Sequence, residues 1–510
     1  MPRYSAFMYS AALSVAVVAA PPAFADVTPQ QVWDDIEAYM TSFGYEVAGT
    51  ETLSGSTLSV KDMVLTMDIP DGEGVLSFSA ADVVLEDAGN GSVRVSFPAD
   101  MPITLNMTEV PDGEPFDLTI DYTQDGLEMI VSGTPGDLTY DYTADSLGMR
   151  LTELVVDGEV LGRDVARADI TLTDISGNAQ VTVADIRTIS QVLKAASVDY
   201  DIAFNDPEAE GSALFAGSMA GLLFEGSTSI PLDMDPEDMP AMLAAGFAVD
   251  GTFGHSGGSG SFAVTEDGEV TTGRTSSGSG TLQVTMNADA LAYSGRTTDV
   301  EMSMTGGELP FPVETAMSET AINLTLPTSK GDEPSDVAFG VNLAGFTMSD
   351  MLWNIFDPGK ALPRDPATLA FDLTGKVKML VELMDAEQMA MMDRENALPA
   401  EPQSLTLSGL LVEAIGARLT GEGSFTFDNT DLETFDGMPR PTGTLNLTLD
   451  GANAVLDRLI AAGLMKQQDA MGARMMLSMF AVAGSGEDQL KSTLEINESG
   501  QILANGQRIR

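Results

Sequence analysis

The chain has 510 residues, 77 of them acidic against 24 lysines and arginines, for a formal charge of −53 with 44% apolar residues. Such a charge repels nucleic acid and anionic membranes, yet the apolar fraction is too high for a disordered acidic tail. No cysteine is present and His255 is the single histidine, which excludes disulfides, thiolate chemistry and zinc sites built from several His or Cys.

The N-terminus reads as a secretory signal over residues 1–25. Arg3 precedes an apolar run from Ala11 to Ala20, and Ala23 and Ala25 stand where a signal peptidase reads small residues, so cleavage is expected before Asp26. About ten apolar residues are too few for a bilayer that needs ~20. The expectation is a soluble periplasmic protein with no transmembrane segment in the mature chain.

The mature chain opens on a helix. In "TPQQVWDDIEAYMTSFG", Thr28 is the N-cap, Pro29 the first helical residue and Gln31 the partner in a capping box. Val32, Trp33, Ile36, Tyr39, Met40 and Phe43 line one side, and Gly44 ends it.

Alternation with period two then dominates: Met63, Leu65, Met67, Ile69, then Val93, Val95, Phe97, then Ile103, Leu105, Met107. A phrase is repeated, "LTIDYTQDGLEMIVSG" from Leu118 and "LTYDYTADSLGMRLTE" from Leu138. With Gln124-Asp125-Gly126 read as a turn, the two copies become neighbouring hairpins. Leu118, Ile120, Tyr122, Leu138, Tyr140 and Tyr142 should share one buried face. Further strands are marked by Leu282, Val284, Met286, by Val300, Met302, Met304, by Phe425, Phe427, and by Leu445, Leu447, Leu449.

His255 sits in "GTFGHSGGSGS", which reads as a loop, and a Ser-His-Asp triad would have to use this one histidine. "DPEDMPAMLAAG" suggests a short helix whose Asp235, Glu237 and Asp238 suit its N-terminal dipole better than calcium. "MSDMLWNIFDPG", "KMLVELMDAEQMAMMDREN" and the stretch from Ala452 to Phe480 are the other helical segments, and the last of these contains a pair of helices. "LKSTLEINESGQILANGQRI" is a closing hairpin that turns at Glu498-Ser499-Gly500.

The fold class is therefore mainly β: a long antiparallel, strongly curved meander sheet with a few short helices, then a C-terminal helix pair and hairpin. Too few helices exist to cover one apolar sheet face, so the sheet closes as a dry sandwich or curls into a trough. Residues 26–510 form one elongated body, with two similar sheet segments expected at 45–330 and 331–510.

The stretch "FDGMPRPTGTLNLTLDGANAVLDRLIAAGLMKQQDAMGARMMLSMFAVAGSGEDQLKSTLEINESGQILANGQRIR", with "FDPGKALPRDPATLAFDLTG" before it, resembles an exported alphaproteobacterial family classed as a domain of unknown function. The resemblance spans the mature chain and is strongest from Phe356 onward. It implies no activity, so it carries no functional residues. The strand-rich body, helix pair and final hairpin also resemble AsmA-like periplasmic proteins in architecture, which implies curved sheets with apolar grooves for lipid.

The expected function is non-enzymatic: a periplasmic protein whose apolar groove binds or carries lipid or acyl chains for the cell envelope. The alternative is a structural or protein-binding envelope scaffold with a dry β core, its partner another envelope protein. No catalytic residue, metal or cofactor is assigned. A glycosidase needs two carboxyls ~5–9 Å apart, and any pair picked from so many acids would be chance. The candidate ligand contacts are Trp353 and Phe356 on one wall and Leu456, Ile460, Met475 and Met479 on another, methionine being a side chain that accepts varied apolar partners.

Overall fold

The computed structural model describes residues 26–69, 74–80, 82–107, 116–205, 211–233, 238–307, 309–395 and 397–510. The proposed signal segment 1–25, and Asp235 and Glu237, lie outside them.

Twenty-eight strands among the described residues form one antiparallel sheet. Glu46–Ser54 pairs with Thr57–Ile69. Beyond Thr57–Ile69 the sheet forks into two lanes placed end to end. One lane holds Gly74–Ala80 and Asp100–Met107; the other holds Val83–Gly89 and Ser92–Ser96. Phe116–Asp125 and Glu128–Thr134 rejoin the lanes and pair with the twenty-residue strand Asp137–Val156. Ala166–Val183, Ile186–Asn205 and Ser212–Pro231 follow in order. A second fork separates Ala248–His255 with Gly280–Met286 from Gly257–Glu266 with Glu269–Ser277, and Ala290–Gly306 rejoins them. Leu309–Pro327, Ser335–Met348, Ala367–Met379, Ala400–Ala414, Ala417–Asp428, Arg440–Asp450, Gln489–Ile496 and Ile502–Ala504 then pair in succession. No break in pairing divides 45–330 from 331–510.

The long strands change face at their middles. In Ala166–Val183 the inward apolar residues are Ile170 and Leu172, then Ile175 and Val181, so the parity switches at Asp174. Asp174 has φ 48°, and Asp62, Gly126, Gly221, Asp299 and Gly345 have φ between 49° and 66° at the equivalent places in their strands. Glycine enters this left-handed region freely, and aspartate enters it more readily than most residues. The pairing register sets these positions in one line across the sheet. A residue of this kind bends its strand. Inside the bend Ala144, Ile175 and Ala195 are buried against each other, with Leu127, Tyr142 and Leu172 around them. The sheet is thus creased lengthwise, and the two halves of each long strand form the walls of a trough.

The crease also explains the repeated phrase. From Ile120 to Thr134 the register against Asp137–Val156 is the same on both sides of Gly126, so Phe116–Asp125 and Glu128–Thr134 run on as one strand bent at Gly126. The two copies are the arms of one long hairpin turning at Pro135-Gly136, where Gly136 has φ 85°. The turn expected at Gln124-Asp125-Gly126 is the crease. The six residues expected on one face are all buried or half-buried, Leu138 most of all.

Helix α1 (Pro29–Ser42) closes one end of the trough. Thr28 and Gln31 form the capping box. Val32 and Trp33 pack on Leu58, Val60, Leu85, Val93, Val131 and Val181, from strands far apart in the sheet. Trp33 Nε1 donates to Glu51 Oε1 at 3.0 Å, while Asp35, two residues on, pairs with Arg187 at 2.9 Å. Glu51 and Arg187 lie seven pairing steps apart. On a flat sheet that is about 34 Å, against a helix length of about 21 Å, so the sheet curls around α1.

The remaining helices sit at strand ends along the two rims. α2 (Met239–Ala244), capped by Asp238, and α4 (Ala386–Glu395) lie on the rim nearer α1; α3 (Asp350–Phe356), α5 (Ala452–Ala461) and α6 (Gln467–Phe480) lie on the other. α4 is shorter than the sequence suggests, because Lys378 and Met379 end a strand.

His255 is not in a loop. It ends the strand Ala248–His255, and the Gly/Ser run after it is the strand Gly257–Glu266. Glycines in this strand and its neighbours serve as floors for aromatic rings. A Cβ on Gly217 would lie 2.6 Å from Tyr200 Oη, one on Gly260 3.0 Å from it, and one on Gly273 2.3 Å from the Phe262 ring.

A candidate apolar groove and the cavity beneath a helix

On both sides of the crease, the inner face of the trough carries exposed apolar side chains. Ile202, Phe215, Leu282, Tyr293, Ile322 and Phe339 project from it as exposed side chains, Ile322 at 53% and Leu282 at 47%. Each leaves apolar area in water at about 25 cal/mol per Å², and contiguous exposure of this kind marks a binding surface.

Register turns part of this face into a row. Tyr293 stands opposite Leu324, Leu324 opposite Phe339, Phe339 opposite Leu373, and Leu373 opposite Leu407. The row passes Gly423 to Leu445 and Leu494. Gly423 leaves no gap, because Leu445 lies across it: a Cβ there would be 3.1 Å from Leu445 Cδ1. One residue per strand at ~4.8 Å makes a stripe about 34 Å long.

The stripe ends under α6. Between this helix and the strands Ala417–Asp428, Arg440–Asp450 and Gln489–Ile496 lies a cavity of about 430 Å³. Its floor is Leu419, Leu447, Leu449, Leu490 and Leu494; its roof is Ala473, Met476, Leu477 and Phe480. The hydroxyl of Ser492, also in the wall, donates to the Phe480 carbonyl at 2.6 Å.

The roof is held from its far side. Arg474 Nε donates to Asn453 Oδ1 at 3.1 Å and its Nη2 to Asp457 at 2.7 Å, tying α6 to α5. α5 is seated on Asp488, whose carboxylate accepts from the N–H groups of Asn453 and Ala454 at 3.1 and 2.8 Å. Desolvation opposes ionisation of Asp488, but the donors of Ala454 and Asn453 outweigh it and hold its carboxyl below the usual range.

The residues expected from sequence to contact ligand are divided. Leu456 is buried, at 8% exposure, and Ile460 is half-buried; both belong to α5 and neither lines the cavity. Met475 and Met479 are on α6 at 64% and 58% exposure and are absent from the cavity wall. Trp353 and Phe356 stack on each other in α3, ring centroids 5.1 Å apart, with the Arg364 guanidinium 5.6 Å over Trp353. The structure does not bring the α3 pair and the α6 pair together. The cavity residues were missed except as strands: "LNLTL" and "LKSTLEI" carry the alternation that puts Leu445, Leu447, Leu449, Leu490 and Leu494 on one face.

A larger depression, about 920 Å³, lies on the outer polar face across Ser218, Ser259, Ser276 and Glu301. It exists because small side chains leave the strands without relief, and it lies apart from the apolar row.

No helix among the described residues is long and apolar enough to cross a membrane. No curated protein matches the chain. A family of uncharacterized proteins conserved in bacteria, DUF2125, matches it over residues 240–504, a span that starts well before Phe356 and takes in the second fork, the apolar row and the cavity under α6. The chain belongs to the DUF2125 family.

Proposed function

We propose that this protein is a non-enzymatic acyl-chain binder of the cell envelope, exported by its N-terminal segment and holding lipid hydrocarbon in the creased trough. The observation that carries the reading is the apolar row from Tyr293 to Leu494, exposed at Tyr293 and Phe339 and running into a cavity whose wall is apolar but for Ser492. A protein destined for a dry core would bury such residues; here Ile322 and Phe339 remain in solvent. The signal pattern before Asp26 supports an extracytoplasmic site, and a strongly acidic coat keeps an open apolar trough from self-association. The scaffold alternative asks for a dry interior, which the exposed wall does not favour.

The test is extraction of the chain purified from a bacterial envelope, followed by mass spectrometry of the organic phase. Lipid or fatty acid should co-purify with the wild type and be lost from Ile322→Asp and Phe339→Asp, with circular dichroism unchanged. A folded wild type that carries no lipid and binds no added fatty acid would end this reading.

A further inference from the structure

We infer that the space beneath α6 receives the methyl-terminal end of a single linear acyl chain, with the remainder lying along the row toward Tyr293. The inference rests on the reading of the trough as an acyl-chain groove and gives that groove a direction. Leu494 belongs both to the row and to the cavity wall, so the two spaces form one path. The wall offers no free hydrogen-bond donor, because the Ser492 hydroxyl proton is spent on the Phe480 carbonyl. A carboxylate or phosphate placed there would be desolvated without a donor, whereas the end of a hydrocarbon chain asks for none. The volume of about 430 Å³ lies at the low end of small-molecule sites, which suits one chain rather than the body of a two-chain lipid. Met476 and Phe480, one turn apart on α6, line the cavity and are also exposed, so the path is open on their side and bounded by a flexible thioether.

Two measurements on the full chain test the direction. The first fills the cavity with Ala473→Trp and compares palmitate with octanoate in calorimetric titrations. Each methylene withdrawn from water is worth about a fourfold change in affinity. Palmitate binding should therefore weaken by about tenfold or more, while octanoate, short enough to stay in the open row, should change by less than about twofold. Palmitate affinity unchanged, or both ligands weakened alike, overturns the inference and leaves the groove reading standing. Binding of neither ligand by the wild type ends the groove reading and this inference with it. The second does not depend on a filled cavity. In Phe480→Trp, palmitate brominated near its methyl end should quench the added tryptophan fluorescence, and palmitate brominated near its carboxylate should not. The reverse pattern overturns the assigned direction.

Discussion

Gly126 and Ser146 hold the same place in the repeated phrase, and they do opposite things. Gly126 has φ 65° and bends its strand; Ser146 continues an extended one. A Cβ at Gly126 would lie 2.8 Å from Asp145 Oδ2 on the facing strand. Gly126→Ser should therefore cost about 1–3 kcal/mol, from left-handed strain and the clash together. Ser146→Gly should cost only about 0.5–1 kcal/mol, the entropy of a glycine in a strand. Denaturant titration of the two variants checks the asymmetry. Equal losses would mean that the crease does not depend on residue 126.

The same pair shows where sequence reading stops. Period-two alternation, the Thr28–Gln31 capping box and the C-terminal helix pair are local, and each was legible. The crease was not, because an Asp-Gly within alternating residues carries the chemistry of a hairpin turn. Only long-range pairing, here Asp125 against Ser146, tells a bend from a reversal. The Gly/Ser strand after His255 was hidden for a related reason. The side chain missing at Gly260 is supplied by Tyr200, two strands away, which no window of local sequence contains. The site failed at a finer level. α6 has two apolar stripes, Ala473, Met476, Leu477 and Phe480 against Met471, Met475 and Met479. Helical periodicity reveals both stripes but not which one meets a sheet formed by strands on either side of the helix pair.

Arg187 and Asp35 lock α1 into the trough. Their side chains are 5% and 13% exposed, and Tyr140 Oη donates to Asp35 at 3.1 Å. Burial first, and then the Asp35 charge, push the Tyr140 phenol well above its ordinary range, so it remains a donor. Arg187→Met strands a buried carboxylate and should destabilise by about 3–5 kcal/mol. The double variant Arg187→Met with Asp35→Leu should recover much of that loss, since an apolar pair can replace a buried ion pair at little cost. Thermal unfolding of the single and double variants decides it; strictly additive losses would refute the coupling.

Acid should loosen the turn that joins Ala417–Asp428 to Arg440–Asp450. Asp428 accepts from the Thr430 hydroxyl at 2.6 Å and from Arg440 Nη2 at 2.7 Å, and these contacts, Thr430 foremost, bring its pKa down to about 2. The folded value lies below the unfolded one of about 3.9, so between them the unfolded chain binds more protons. The stabilisation is present above the unfolded value and fades as pH falls through the folded one. Asp428→Asn should melt below the wild type at neutral pH, and the gap should close between about pH 4 and pH 2. A gap that persists at the acid end would show that the carboxylate charge is not its source.

The two faces of α6 should respond differently to charge. Met475 and Met479 point to water, so Met475→Asp with Met479→Asp should cost about 1 kcal/mol or less, mostly helix propensity. Such a variant should keep its circular dichroism and its palmitate affinity. Leu477 faces the cavity and is half-buried. Leu477→Asp places an unpaired carboxylate against Leu449 and Leu490 in the apolar space, at a cost of about 2 kcal/mol or more. The helix should then lift from the sheet, held by Arg474 to Asn453 and Asp457 and, at its end, by Ser492 and Asn505 on the Phe480 carbonyl. Limited proteolysis reads this directly, with new cleavage within 467–480 in Leu477→Asp and none in the double methionine variant. If the methionine variant is the one that is cleaved, the outward stripe is packed against something in solution, and the roles assigned to the two faces are reversed.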